Sequence, residues 1–175
     1  IGLSARNLTI STVGIVPGIR TLADRPLPVN LAVSLHAARD SLRDELVPIN
    51  KRYPLADLVQ ACADYLLKKN RRVSFEWAMI DGINDQPQDA RELARLCKRL
   101  RPAAHVNLIP LNPTPGWPTK GTSPEGVREF ARQLEDLGVN VTIRRNRGTD
   151  IDAACGQLAA GQPIKLGARR VVTAE

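Results

Sequence analysis

Val29-Asn30-Leu31-Ala32-Val33-Ser34-Leu35-His36 alternates strictly between apolar and small or polar residues. On a strand, Val29, Leu31, Val33 and Leu35 point one way, and Asn30, Ala32, Ser34 and His36 the other. The run at 73–80 repeats this: Val73, Phe75, Trp77 and Met79 share one face, Ser74, Glu76 and Ala78 the opposite one. A doubly wound sheet buried under helices on both sides would be apolar on both. One apolar face and one polar face suits a barrel, with helices outside and a ligand-bearing lumen inside.

Further strand-like runs lie at 8–12, 106–111 and 139–143. Helix-like stripes separate most of them. Leu55, Leu58, Val59, Cys62 and Leu66 recur at helical spacing after Pro54. So do Ala90, Leu93, Ala94, Cys97 and Leu100, and then Val127, Phe130, Ala131, Leu134 and Leu137. Ser123-Pro124 can start the last helix and Gly138 can stop it. Repeated strand-then-helix units define an α/β fold with a parallel sheet. Polar residues gather near strand ends: Ser11, Thr12, Ser34, His36 and Asn112. In α/β barrels the C-terminal strand ends carry the active site. Four βα units and a final strand are too few for an eight-stranded barrel. Either the barrel is partial or its first strands are missing, and a missing start would leave the edge strand near Leu8 unpaired and open to self-association.

The 175 residues carry a net charge of +7, are 43% hydrophobic and only 3% aromatic. The charge fits a polyanion such as nucleic acid, and equally a basic protein without one. Few aromatics argue against extensive base stacking. Cys62, Cys97 and Cys155 lie far apart without a C-x-x-C pair, which argues against a disulfide framework. A reducing, cytoplasmic compartment is expected. No signal peptide or bilayer-length apolar run is present, so no membrane partner is expected. The chain starts at Ile1, almost directly in a strand, as an excised piece of a longer protein would.

The segment R-G-T-D-I-D-A-A-C-G-Q-L (147–158) sets Cys155 between Ala153-Ala154 and Gly156, after Arg144, Arg145 and Arg147. Small neighbours let a bulky group approach the thiol, and nearby cations favour the nucleophilic thiolate.

With it come S-T-V-G (11–14), S-L-H-A (34–37), R-D-E-L-V-P-I-N-K-R-Y (43–53), I-D-G-I-N-D (80–85) and N-L-I-P-L-N-P (107–113). In this order the motifs resemble the radical S-adenosylmethionine (SAM) methyltransferases that act on C2 of an adenine in 23S rRNA, the RlmN/Cfr-like family. The resemblance covers nearly the whole chain. It is nearer the dual-specificity branch, which also modifies tRNA, while the motifs leave C2 against C8 methylation open.

The resemblance implies a partial (βα)6 radical SAM barrel, with a [4Fe-4S] cluster at its mouth and an electron donor to reduce it. One SAM methylates a cysteine, whose position Cys155 matches. A second is cleaved at the cluster, and its 5′-deoxyadenosyl radical takes a hydrogen from the S-methyl group. The carbon radical adds to adenine, and another cysteine resolves the adduct. Ser11, Ser34, His36 and Asn112 match the SAM-contacting positions, with Leu35 contributing backbone. These groups can hydrogen-bond ribose, carboxylate and adenine edges.

The family's C-x-x-x-C-x-x-C motif, its resolving cysteine and its N-terminal accessory domain are not in this sequence. Cys62 and Cys97 fall on apolar helix stripes, so no metal ligand is expected here. The resemblance therefore implies that residues 1–160 are the C-terminal part of the barrel with the methyl-accepting segment. Residues 161–175 would form a basic tail bearing Lys165, Arg169 and Arg170, and the chain alone would be inactive. Glu76 is expected to face the lumen without an assigned role, and His105 to be structural. Two other classes fit parts of the pattern. A lyase or hydrolase barrel fits the strands but not the Cys155 segment. A non-catalytic RNA-binding α/β module fits the charge but not the polar lumen.

Overall fold

The computed structural model describes residues 4–100, 102, 104–111 and 120–144. Its strands are β1 (Thr9–Thr12), β2 (Asn30–Ser34), β3 (Val73–Met79), β4 (His105–Pro110) and β5 (Val141–Ile143). The helices are α1 (Val16–Asp24), α2 (Asp40–Leu46), α3 (Leu55–Lys69), α4 (Pro87–Lys98) and α5 (Pro124–Asp136). Short 3-10 turns occupy Ala5–Asn7 and Pro48–Lys51. The three helices expected from their stripes are α3, α4 and α5. The short α1 and α2 were not among those stripes. Pro17 and Gly18 interrupt the α1 pattern, and α2 puts an arginine on its buried face.

All five strands are parallel and paired in chain order, β1-β2-β3-β4-β5. Doubly wound sheets reverse their strand order partway, whereas a barrel winds one way and keeps its helices on one side. Here one core joins Leu31, Val33, Phe75, Trp77, Val106 and Leu108 of the sheet to α1, α3, α4 and α5. Each such fully buried side chain contributes about 1.5–3 kcal/mol. Trp77 and Phe130 stack with ring centroids 6.1 Å apart, fixing α5 on β3. Tyr65 donates its hydroxyl to the Val29 carbonyl at 2.6 Å, so α3 also grips the start of β2.

The helix ends follow the expected chemistry with one shift. Ser123 Oγ accepts the Gly126 N–H at 3.1 Å and starts α5. Gly138 follows α5 with φ +75°. Pro54 is the N-cap of α3 and not its first-turn residue. Among the described residues, the outer edges of β1 and β5 pair with no strand. Leu8 and Ile10 are exposed along β1. No helix among the described residues is long and apolar enough to cross a membrane.

Candidate functional site

The parallel register turns the polar residues of each strand into rows across one face. Ser34 pairs with Glu76, Glu76 with Asn107, and Asn107 with Thr142. Two residues earlier, Ser11, Ala32, Ser74 and His105 form a second row. Hydrogen bonds link the rows. Glu76 Oε1 accepts from Ser74 Oγ at 3.1 Å and from Asn107 Nδ2 at 2.8 Å. His105 Nε2 lies 3.2 Å from Asn107 Oδ1 and 2.9 Å from Thr142 Oγ1. Glu76 lies on the polar face of the sheet, the face its alternation predicts, and His105 joins the same network. Burial, then the nearby charge of Arg72, holds the His105 imidazole below its ordinary pKa.

At the C-terminal strand ends, β2 runs into His36, which has a left-handed φ of +59°. That turn swings the imidazole over the neighbouring strand, where Nδ1 accepts the Ala78 N–H at 3.0 Å. With Nδ1 an acceptor, the ring proton sits on Nε2, which remains a donor. Burial, reinforced by the charge of Arg43, pushes the His36 pKa down to about 4, so the ring is neutral near pH 7. Asn84, from I-D-G-I-N-D, completes the strand end. Its Nδ2 donates to the His36 and Ala78 carbonyls, both at 2.8 Å, and its Oδ1 accepts the Ile80 N–H at 2.8 Å.

The depressed His36 pKa has a testable consequence. Its unfolded value lies near 6.5 and its folded value near 4, so the unfolded chain binds this proton first as pH falls. The neutral ring's contribution is present above the unfolded pKa and is lost as pH falls through the folded one. Each unit of difference corresponds to about 1.4 kcal/mol. Urea unfolding midpoints of the chain should therefore fall between pH 7 and pH 4, and less so in His36→Gln. An identical pH dependence in that variant would remove His36 as the source.

Arg43 is fully buried and holds this end of the sheet together. Its Nε donates to the Leu35 carbonyl at 3.1 Å. Nη2 donates to the carbonyls of Val13, at 2.9 Å, and Ser34, at 3.2 Å. Nη1 donates to Asn50 Oδ1 at 2.8 Å. Asn50 Nδ2 in turn donates to Asp40 Oδ1 at 2.9 Å and Asp44 Oδ1 at 2.7 Å. The carboxylates thus balance the buried guanidinium through an amide. Gly14, with φ +103°, makes room for it: a Cβ there would lie 3.0 Å from Arg43 Nη2.

Above these ends lies a cavity of about 330 Å³ lined by Val13, Ser34, His36, Leu46, Val47 and Ile49. It brings Ser34 and His36 together. Ser11 is exposed on β1, one row back, and is not part of the lining. Leu35 is fully buried: its N–H donates to the Glu76 carbonyl, and its carbonyl accepts from Arg43 and Ala37. Asn112, Cys155, Arg145, Arg147 and the tail at 161–175 lie outside the described residues. Arg144 is exposed directly after β5.

Arg43, Asn50, Asn84 and Asn107 received no functional role from the sequence, although each falls in or next to a quoted motif. A signal existed for two of them. Arg43, Val47 and Asn50 recur at helical spacing, so a cation and an amide occupy the face an apolar stripe would fill.

The described cysteines do not suit an iron–sulfur cluster. Cys62 and Cys97 sit fully buried on α3 and α4, and burial pushes each thiol up to about 12, far from the thiolate a metal needs. Among the described residues, no three His, Cys, Asp or Glu side chains gather as metal ligands. Among the residues lining the cavity, the polar side chains are Ser34 and His36, set against the apolar Val13, Leu46, Val47, Pro48 and Ile49.

No protein-family model matches the chain. It is 55% identical to a probable dual-specificity RNA methyltransferase RlmN of Parafrankia sp. (strain EAN1pec), over 97% of this chain and 44% of that protein. It is 50% identical to a protein of the same name from Chloroflexus aurantiacus, over 94% of this chain and 45% of the relative. Among solved structures, a radical SAM methyltransferase from Sphaerobacter thermophilus superposes with a TM-score of 0.84 at 51% identity. That match covers 89% of this chain and 45% of that one. A domain of pyruvate-formate lyase-activating enzyme from Bacteroides vulgatus, 14% identical with a TM-score of 0.60, shares the fold. The chain spans less than half the length of the RNA methyltransferase relatives it matches.

Proposed function

From a chain that belongs to the radical SAM RNA methyltransferase family, we propose that it forms the SAM-facing part of an enzyme methylating adenine C2 in 23S rRNA and in tRNA. One observation carries this reading most directly: Ser34 and His36 share a cavity at the C-terminal strand ends, with the His36 proton fixed on Nε2. Such a neutral donor and a hydroxyl suit the carboxylate, ribose and adenine edges of SAM. Ser11 and Asn112 belong to the same reading, as does Cys155 as the thiolate that takes the SAM methyl carbon. In that transfer a carbon–sulfur bond forms at Cys155, the sulfonium bond breaks, and S-adenosylhomocysteine leaves. The (βα)6 barrel assignment for residues 1–160, the cytoplasmic setting and association through the β1 edge are parts of the same proposal.

Isothermal calorimetry with SAM tests it. Ser34→Ala and His36→Ala each remove one hydrogen bond and should weaken binding about 3- to 10-fold. Unchanged affinity in the double variant would overturn the assignment of this cavity. The chain alone, supplied with iron, sulfide, reductant and SAM, should not methylate adenine, because its described cysteines do not suit a cluster. Turnover would overturn that part of the reading.

A further inference from the structure

A second groove, of about 810 Å³, lies at the opposite edge of the sheet, where the strands begin. Asn70, Arg71, Arg72, His105, Asn140 and Glu135 line it. Because every strand is parallel, every helix-to-strand loop arrives at this one edge. The loops and helix ends there carry Arg25, Lys69, Lys98 and Arg99 beside the groove's own Arg71 and Arg72. Among the described residues, none of these six forms an ion pair with a carboxylate. The strand-start edge also carries Asp24, Glu135 and Asp136, but Lys68 pairs with Asp24 and Arg132 with Asp136, which leaves the six cations in excess.

Helix C-termini favour cations, and that accounts for Lys69 and Lys98 in the last turns of α3 and α4. It does not account for Arg71 and Arg72, which follow the left-handed Asn70 that ends α3 and line the groove. Arg71 Nη2 is anchored on Asn30 Oδ1 at 3.0 Å and on the Arg6 carbonyl. Its Nε is buried with no hydrogen-bond partner. A buried donor without an acceptor is unfavourable, and a nearby anion favours such a guanidinium.

We propose that this strand-start edge is a second RNA-binding surface, engaging backbone phosphates through Arg71, Arg72, Lys98 and Arg99. It rests on the RNA methyltransferase reading and adds a contact away from the SAM cavity. β4 has six residues. At about 3.3 Å per residue, the groove lies roughly 20 Å from the strand ends. The nucleotide entering the cavity therefore cannot also occupy the groove. The groove grips flanking backbone, and only a folded or wrapping RNA reaches both. The contact is sequence-independent and sensitive to salt.

The test compares the unmodified chain with Arg72→Gln/Lys98→Gln/Arg99→Gln, all exposed positions. A control, Arg20→Gln/Arg91→Gln/Arg128→Gln, removes the same charge from exposed helix positions. The probe is a fluorescein-labelled RNA hairpin of mixed sequence, followed by anisotropy over a salt series. The edge variant should bind about 10-fold more weakly at low salt, and its log–log salt slope should be shallower by about 2. SAM affinity should be unchanged. Equal loss in the control variant, or no loss in the edge variant, would overturn the surface while leaving the function reading intact. Failure of the unmodified chain to bind the hairpin at all would likewise overturn the surface, while the function reading stands or falls with the SAM titration.

Discussion

Replacing Arg43 with methionine lowers the stability of the chain by about 3–5 kcal/mol, the range for removing one member of a buried charged network. The guanidinium donates to three backbone carbonyls, on Val13, Ser34 and Leu35, and to Asn50 Oδ1. Methionine fills similar volume but donates nothing. The Val13 carbonyl and Asn50 Oδ1 lose their partner, and Asp40 and Asp44 lose the cation they balance. A buried ion pair exchanged whole for apolar residues can be neutral, but here only the cation leaves. For a chain of this length the melting temperature should fall by about 10 °C or more. Lysine keeps the charge but reaches fewer of these acceptors, so Arg43→Lys should fall between the two. Circular dichroism melts check both variants. A drop under about 3 °C for methionine would show that the network carries little of the stability. SAM affinity of Arg43→Lys should also fall, because Val13 and Ser34 line the cavity that Arg43 shapes.

Cys155→Ala in a full-length enzyme carrying this segment should abolish methyl transfer to RNA, not merely slow it. Alanine leaves no atom to accept the methyl carbon, and serine offers an alkoxide precursor that is scarcely ionised at neutral pH. The loss should exceed the about 10²–10⁴-fold typical of removing a general acid or base. SAM binding should survive, since Ser34 and His36 remain. Mass spectrometry of the unmodified enzyme should find an added methyl group on the peptide containing Cys155, absent from the alanine variant. Retained RNA methylation by that variant would remove Cys155 from the reaction.

The two variants come from different kinds of information. Cys155 was marked by its immediate neighbours, Ala153, Ala154 and Gly156, and by the segment's likeness to a family. Arg43 stood in a quoted motif without a role. Its four acceptors come from the ends of β1 and β2 and from the turn at Pro48–Lys51, as far as 30 positions away. The strands were legible because side chains alternate with a period of two, and α3, α4 and α5 because their apolar residues recur at helical spacing. Even the shared polar face of Ser34 and Glu76 followed from alternation within single strands, whereas His36 lies past the end of β2 in a left-handed turn that alternation does not describe. The short α1 and α2 were less legible: Pro17 and Gly18 dilute one stripe, and Arg43 replaces an apolar residue in the other.

The sequence by itself therefore determined the parallel α/β order, the polar face, the burial of Cys62 and Cys97, and the family. All are set by local periodicity or by contiguous motifs. Tertiary structure alone decided which polar residues meet. Register aligned Ser34, Glu76, Asn107 and Thr142 in one row. The left-handed turn at His36 placed Nδ1 on the Ala78 N–H, and the buried guanidinium of Arg43 tied two strand ends. The parallel winding gathered Arg71, Arg72, Lys98 and Arg99 at one edge. Each of these depends on distances between segments remote in sequence, and periodicity within a segment carries no record of its neighbour.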